Sequence, residues 1–238
     1  MEFTVADIAG MIDYALLSPS LTRETLDRGC EEAIDLEVAS VCILPYTLRR
    51  CASILAGTAV LPGTVIGFPH GAHATAVKRA EVRKALSDGA AEVDMVVNIS
   101  QVRSGDWAYV RRDIAAVQHP AQDAGARVKV IFENAYLNRE EKIRLCSLCG
   151  DLGVDWVKTS TGFAPYGATL EDVKLMVDHT PSPVQVKAAG GIRDLDFILA
   201  VRALGVTRVG CSRSAEILAE CKRRIEQGTA RSAAGEPA

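Results

Sequence analysis

The chain has 238 residues, 48% of them hydrophobic, and a formal net charge of −3. That is enough apolar material for one large domain, and the charge argues against the basic face of a general nucleic-acid binder. No apolar run approaches the roughly 20 residues of a membrane helix. The opening Met1-Glu2-Phe3-Thr4-Val5-Ala6-Asp7 carries neither the basic nor the apolar region of an export signal. Seven cysteines, an odd count, point to reduced thiols, so the sequence predicts a soluble, cytoplasmic protein with no membrane partner.

In chain order, residues 4–10 read as a short leading helix and 11–17 as a first strand with its exit loop. Thr22 opens a helix ending near Leu36, with Glu24 and Thr25 in its first turn. Short runs bounded by turn residues then predict strands at 40–44, 64–68, 92–98, 127–133, 155–159, 184–188 and 208–212. Helical patterns lie between them at 46–55, 74–87, 107–123, 139–152, 170–179 and 194–204, and a last helix runs from 214 to about 226. Counting the first segment, eight strands alternate with helices. That predicts an α/β fold, a single TIM (β/α)8 barrel preceded by a short helix. A doubly wound sheet is the alternative, but the opening Gly-x-Gly-x-x-Gly of a dinucleotide site is absent. The barrel domain is placed at 1–227, with a frayed tail rich in Ala, Gly, Pro and Ser at 228–238.

Barrel enzymes collect their active-site residues at the C-terminal ends of the strands. The polar residues there are Asp13, Cys42, Asp94, Asn98, Glu133, Lys158, Lys187 and Ser212, drawn from seven strands. Two runs share one form: Val157-Lys158-Thr159-Ser160-Thr161-Gly162 and Val186-Lys187-Ala188-Ala189-Gly190-Gly191. Lysine is seldom buried without a partner, so a lysine closing each of two apolar strands needs a reason. Two ammonium groups facing each other across a barrel mouth repel, and desolvation adds to the effect. One of them then deprotonates and can attack a carbonyl to form a Schiff base. The resulting iminium is an electron sink, so a carbon–carbon bond β to it can break or form. Asp94 can move the hydroxyl proton, directly or through water. The same residues also allow plain salt bridges.

Three glycine-bearing loops follow the last strands: Ser160-Thr161-Gly162, Gly190-Gly191-Ile192-Arg193 and Gly210-Cys211-Ser212-Arg213-Ser214. The last two occupy the positions where barrels bind phosphate through backbone N–H groups, and Arg193 and Arg213 can add charge-assisted contacts. Other motifs read as structural. Cys146-x-x-Cys149 lacks a second ligand pair for zinc and falls on one helix face. His70-x-x-His73 lacks a companion carboxylate, and no histidine is placed to activate Cys42. No metal or cofactor is predicted. Trp107 and Trp156 are expected to pack between helices and barrel.

At these residues the chain resembles the deoxyribose-phosphate aldolases, class I aldolases of the DeoC type. The likeness runs from Ile12 to about Leu218 and is carried by Ser40-Val41-Cys42-Ile43-Leu44-Pro45, Val65-Ile66-Gly67-Phe68-Pro69-His70-Gly71, Glu92-Val93-Asp94-Met95-Val96-Val97-Asn98, Lys129-Val130-Ile131-Phe132-Glu133 and the two lysine runs. The resemblance implies that Lys158 forms the Schiff base, Lys187 lowers its pKa and Asp94 relays the proton. It implies reversible, metal-free cleavage of 2-deoxy-D-ribose 5-phosphate to acetaldehyde and D-glyceraldehyde 3-phosphate. Substrate or phosphate contacts are expected from Asp13, Cys42, Thr159, Gly162, Gly190, Gly191, Arg193, Gly210, Ser212 and Arg213. The resemblance brings an expectation of dimers or higher assemblies. Three departures bear on substrate choice. Ala15 stands where the family usually has threonine, Arg213 where it has a second serine, and no tyrosine follows Tyr166. They keep open a related aldolase with another phosphorylated or carboxylated substrate, and a sugar-phosphate-binding paralogue without turnover.

Overall fold

The computed structural model describes residues 3–228, so the expected tail, apart from Gly228, lies outside the described residues. The alternation is realised as eight parallel strands: β1 (Ile12–Leu16), β2 (Ser40–Ile43), β3 (Leu61–Ile66), β4 (Glu92–Val96), β5 (Arg127–Ile131), β6 (Trp156–Lys158), β7 (Gln185–Ala189) and β8 (Arg208–Cys211). Each pairs with its successor, and β8 pairs with β1 to close the barrel. The helices are α1 (Val5–Ala9), α2 (Arg23–Asp35), α3 (Leu48–Ile54), α4 (Thr75–Ser87), α5 (Ile99–Arg103), α6 (Trp107–Asp123), α7 (Arg139–Leu152), α8 (Leu170–His179), α9 (Leu195–Ala203) and α10 (Ser214–Glu226). This is the TIM barrel that the sequence predicts, with α1 as the leading helix.

Seven of the ten described helices begin where a side-chain oxygen accepts from a free first-turn N–H: Thr4, Thr22, Asn98, Asp106, Asn138, Thr169 and Asp194. Each such cap contributes about 1 kcal/mol. Along each strand successive side chains face opposite ways. Val93, Met95, Val128, Val130, Val157, Val186 and Val209 join Leu26, Val82, Ile114, Leu145, Met176 and Ile198 of the helices in the main core. Burying each large aliphatic side chain contributes roughly 1.5–3 kcal/mol. The opposite faces of the strands turn into the barrel, and there the filling is charged.

The elements differ from expectation in a few places. β3 starts at Leu61 rather than 64, because Pro62-Gly63 reads as a turn but lies in the strand; the Pro62 carbonyl accepts from Ala91 N–H at 2.8 Å. β4 ends at Val96, and Asn98 turns away to cap the unexpected short helix α5. The helix expected at 46–55 divides into a 3-10 turn over Pro45–Thr47 and α3. Trp156 does not pack between helix and barrel. It lies on the inward side of β6, where Arg127, Lys129 and Arg208 stand 5.3–5.7 Å from its ring centre. The two-residue alternation that points Lys158 inward does the same for Trp156. Cys146 and Cys149 are buried on α7.

Candidate active site

The barrel interior holds a ladder of ion pairs rising from Trp156 to the mouth. Arg208 on β8 donates to Asp13 Oδ1 and to Glu92 Oε2, the latter at 2.8 Å. Ser40 Oγ also donates to Asp13 Oδ1, at 2.7 Å. Lys129 on β5 reaches Glu92, Asp94 at 2.9 Å and Asp13 at 3.4 Å. Lys187 on β7 donates to Asp13 Oδ2 and, at 2.7 Å, to Asp94 Oδ2. Lys158 on β6 donates to that same Asp94 oxygen at 2.8 Å. Contacts among β1, β4, β5, β7 and β8 meet only inside the barrel, and Asp13, Glu92, Asp94, Lys129, Lys187 and Arg208 are all buried with Lys158.

Charge bookkeeping singles out Lys158. Asp13, Glu92 and Asp94 are balanced by Lys129, Lys187 and Arg208 before Lys158 is counted. Arg127 adds a further contact to Glu92 from a side chain that is 40% exposed. Buried charges survive only when compensated, so Lys158 is the cation most easily discharged. Burial holds its pKa below the usual lysine value; Asp94 opposes this and the Lys187 charge reinforces it. Burial acts on Lys187 too, but Asp13 and Asp94 outweigh it and hold that ammonium above its ordinary range. Asp94 is buried, yet Lys129, Lys158 and Lys187 hold it well below the usual carboxylate range. The two lysines are therefore unlike: the pKa of one is shifted down and that of the other up.

Above this pair a cavity of about 660 Å³ opens at the C-terminal end of the strands. Lys158 and Lys187 lie in its lining together with Asp13, Cys42, Gly162, Gly190, Gly191, Gly210 and Ser212. The loops after β6 and β7 meet closely: a Cβ added to Gly167 would lie 2.1 Å from the Gly190 carbonyl oxygen, so no larger residue fits there. Phe163 stands at the rim, its ring edge-on to Phe68 at 5.4 Å.

Other expected site residues fall elsewhere. Asp94 is buried and is reached from the cavity through the lysines. Thr159 cross-links strands, its hydroxyl donating to the Ala189 carbonyl and accepting from the Ala189 N–H, each at 3.0 Å. Arg193 and Arg213 are exposed and outside the cavity lining; Arg213 faces Glu216 at 3.6 Å. Burial pushes the Cys42 thiol up to about 11, which suits a packed wall better than a nucleophile. His73 pairs with Glu81 at 3.1 Å, and no group of three metal-ligating side chains occurs among the described residues.

Sequence reasoning missed Lys129, Glu92 and Arg208, which lie low in the barrel, and also Tyr14 of β1 and Thr25, Arg28 and Glu32 of α2, which line the cavity. The available signal was parity. Arg127, Lys129 and Ile131 alternate with Val128 and Val130 in a strand whose neighbours cover both edges.

The sequence from residue 12 to residue 207 matches the DeoC/LacD family of aldolases. The chain belongs to that family. It is 55% identical over 224 residues to the deoxyribose-phosphate aldolase of Rhodopirellula baltica, covering 94% of this chain and 93% of that one. Among solved structures, an aldolase called QR15 superposes with a TM-score of 0.87 at 35% identity, covering 93% of this chain and 98% of the other. The tetrameric deoxyribose phosphate aldolase of Aeropyrum pernix gives 0.85 at 29% identity, with 92% of both chains covered.

Proposed function

We propose that the protein is a class I aldolase that reversibly cleaves 2-deoxy-D-ribose 5-phosphate to acetaldehyde and D-glyceraldehyde 3-phosphate. The observation that carries this reading is the sharing of Asp94 Oδ2 by two buried lysines with opposed pKa shifts. The neutral Lys158 amine attacks C1 of the open-chain sugar, and loss of water gives an iminium. The C3 hydroxyl gives its proton to Asp94, directly or through water, as the C2–C3 bond breaks. Glyceraldehyde 3-phosphate leaves, and the electron pair stays on the enamine. Protonation at C2 and hydrolysis of the imine then release acetaldehyde and the free lysine. Lys187 keeps its charge throughout and favours the neutral form of Lys158 between turnovers.

Backbone amides are the natural holders of the phosphate. Gly190 and Gly191 take successive left-handed conformations at φ +85° and +75°, in the cavity wall beside Gly210 and Ser212. Such turns leave N–H groups free for an anion. Seven unpaired cysteines, all buried, fit a reducing cytoplasm. No described helix is long and apolar enough to cross a membrane. The likeness to relatives of similar length supports deoxyribose 5-phosphate as substrate. Release of acetaldehyde from that sugar phosphate, coupled to an alcohol dehydrogenase, tests the reading; a folded protein that releases none would overturn it.

A second reading keeps the lysine chemistry and changes the aldehyde. Arg28 lines the cavity and has no ion-pair partner among the described residues, and 660 Å³ exceeds what a five-carbon sugar phosphate fills. Arg28→Ala raises KM for anionic acceptors more than Arg213→Ser does if that end of the cavity holds the anion. Equal effects of the two changes would remove the support for this reading.

A further inference from the structure

The chain leaves β5 through a residue in an unusual conformation. Glu133 has φ +57° and ψ +65°, the left-handed region that a residue with a Cβ avoids. Among the described residues the other non-glycine case is Glu37, in an exposed turn. Glu133 is 2% exposed and is absent from the cavity lining. Its carboxylate spans to the segment after Lys158. The Thr161 N–H donates to both oxygens, at 3.2 and 3.3 Å, and the Thr161 hydroxyl donates to Oε2. Thr161 Oγ1 in turn accepts from the Phe163 N–H at 3.1 Å.

The residues on either side grip the same segment. Phe132 N–H donates to the Lys158 carbonyl at 2.9 Å, and Asn134 N–H donates to the Thr159 carbonyl at 3.0 Å. Three consecutive residues of one strand exit therefore hold Lys158, Thr159 and Thr161 of the next. The outer two bonds come from the backbone and need no particular side chain. The middle one needs a side-chain acceptor of this length, and it needs the left-handed turn that aims it. Strain retained at a buried position, next to a segment that lines the cavity at Lys158, Thr161, Gly162 and Phe163, points to a functional demand.

We propose that Glu133 is a positioning residue for imine formation: it fixes Thr161 and Gly162 as the wall against which the substrate carbonyl meets Lys158. Glu133 does not touch substrate. It acts through Thr161, and the proposal rests on the reading of Lys158 as the imine-forming lysine. Glutamine at this position keeps an acceptor for the Thr161 N–H, alanine removes it, and glycine removes it while relieving the backbone.

The test measures kcat, KM, melting temperature and the rate of borohydride-trapped adduct formation with acetaldehyde for wild type, Glu133→Gln, Glu133→Ala and Glu133→Gly. Misplacement of a reacting group by a small distance costs up to about 100-fold in rate, so the alanine variant is expected to lose at least about tenfold in kcat and in adduct rate. Glutamine is expected to restore both to within about threefold. Glycine is expected to melt above alanine and yet be no more active. A purely structural role gives the reverse: the folded alanine and glycine variants form adduct at the wild-type rate, and that result overturns the proposal. Should alanine fail to fold, Thr161→Val, which removes the hydroxyl donor and keeps the N–H, carries the same comparison. Failure of the wild-type protein to form any adduct on Lys158 overturns the aldolase reading beneath it instead.

Discussion

Lys158 and Lys187 are register partners on β6 and β7, and their ammonium nitrogens lie 2.8 and 2.7 Å from the same carboxylate oxygen, Oδ2 of Asp94. Two cations on one acceptor are not equivalent when only one has a second partner. Lys187 also holds Asp13, whereas Lys158 faces the cavity with Asp94 alone. The asymmetry of the pair, rather than the presence of two lysines, pushes the two pKa values apart and underlies the proposed division into one nucleophilic amine and one lasting charge.

Replacing Lys187 by methionine tests that asymmetry. The proposed mechanism requires neutral Lys158, so it predicts that kcat/KM rises with pH through the Lys158 pKa. Removing the Lys187 charge leaves Lys158 to Asp94 without competition, raises that pKa, and moves the acid limb of the pH–rate profile to higher pH. Asp13 and Asp94 also lose a buried partner, which costs about 3–5 kcal/mol on denaturant unfolding. A limb that stays in place would refute the electrostatic role of Lys187.

Asp94→Asn is expected to shift the same limb the other way. The carboxylate favours protonated Lys158, so its removal lowers the lysine pKa and moves the limb to lower pH. Loss of the proton acceptor meanwhile cuts kcat by about 10²–10⁴-fold. Imine trapping persists while turnover falls. A variant with normal kcat would remove Asp94 from the proton transfer.

Stability should fall steeply in acid. Asp13 and Asp94 are both held below the ordinary carboxylate value of 3.8, against the opposing effect of burial, by the lysines and, for Asp13, Arg208. A depressed carboxyl contributes stability that is complete above its unfolded pKa and is lost as pH drops toward the folded one. Unfolding free energy is therefore expected to decline below about pH 4, by about 1.4 kcal/mol per pH unit for each of the two groups. Urea titrations at successive pH values measure this slope. Asp94→Asn should remove about one proton's worth of it, and an unaltered slope would contradict the assignment.

The barrel and its upper rim were legible because both rest on short-range regularities. Alternation of strand and helix fixes the closed sheet, and Asp13, Cys42, Lys158 and Lys187 occupy strand positions whose two-residue period turns them inward together. Lys129 and Arg208 obey the same period, but they lie below the strand ends where attention falls, and a charged barrel interior departs from the usual aliphatic filling. Arg193 and Arg213 lie outside the cavity lining for a different reason. They sit on turns, and nothing in a turn's sequence tells which way a long side chain leaves it. Pro62-Gly63 signals a break that the neighbouring strands override by pairing on both sides. Glu133 was visible as a polar strand end, whereas its left-handed backbone depends on contacts with Thr161, 28 residues further on.

The most direct measurement is borohydride reduction of the protein in the presence of acetaldehyde, followed by intact mass and peptide mapping, with Lys158→Met as the control. A single ethyl adduct on Lys158 is expected, absent from the control, with turnover lower by several orders of magnitude in a Lys158→Met protein that remains folded. An adduct on Lys187, or none at all in folded wild-type protein, would contradict it.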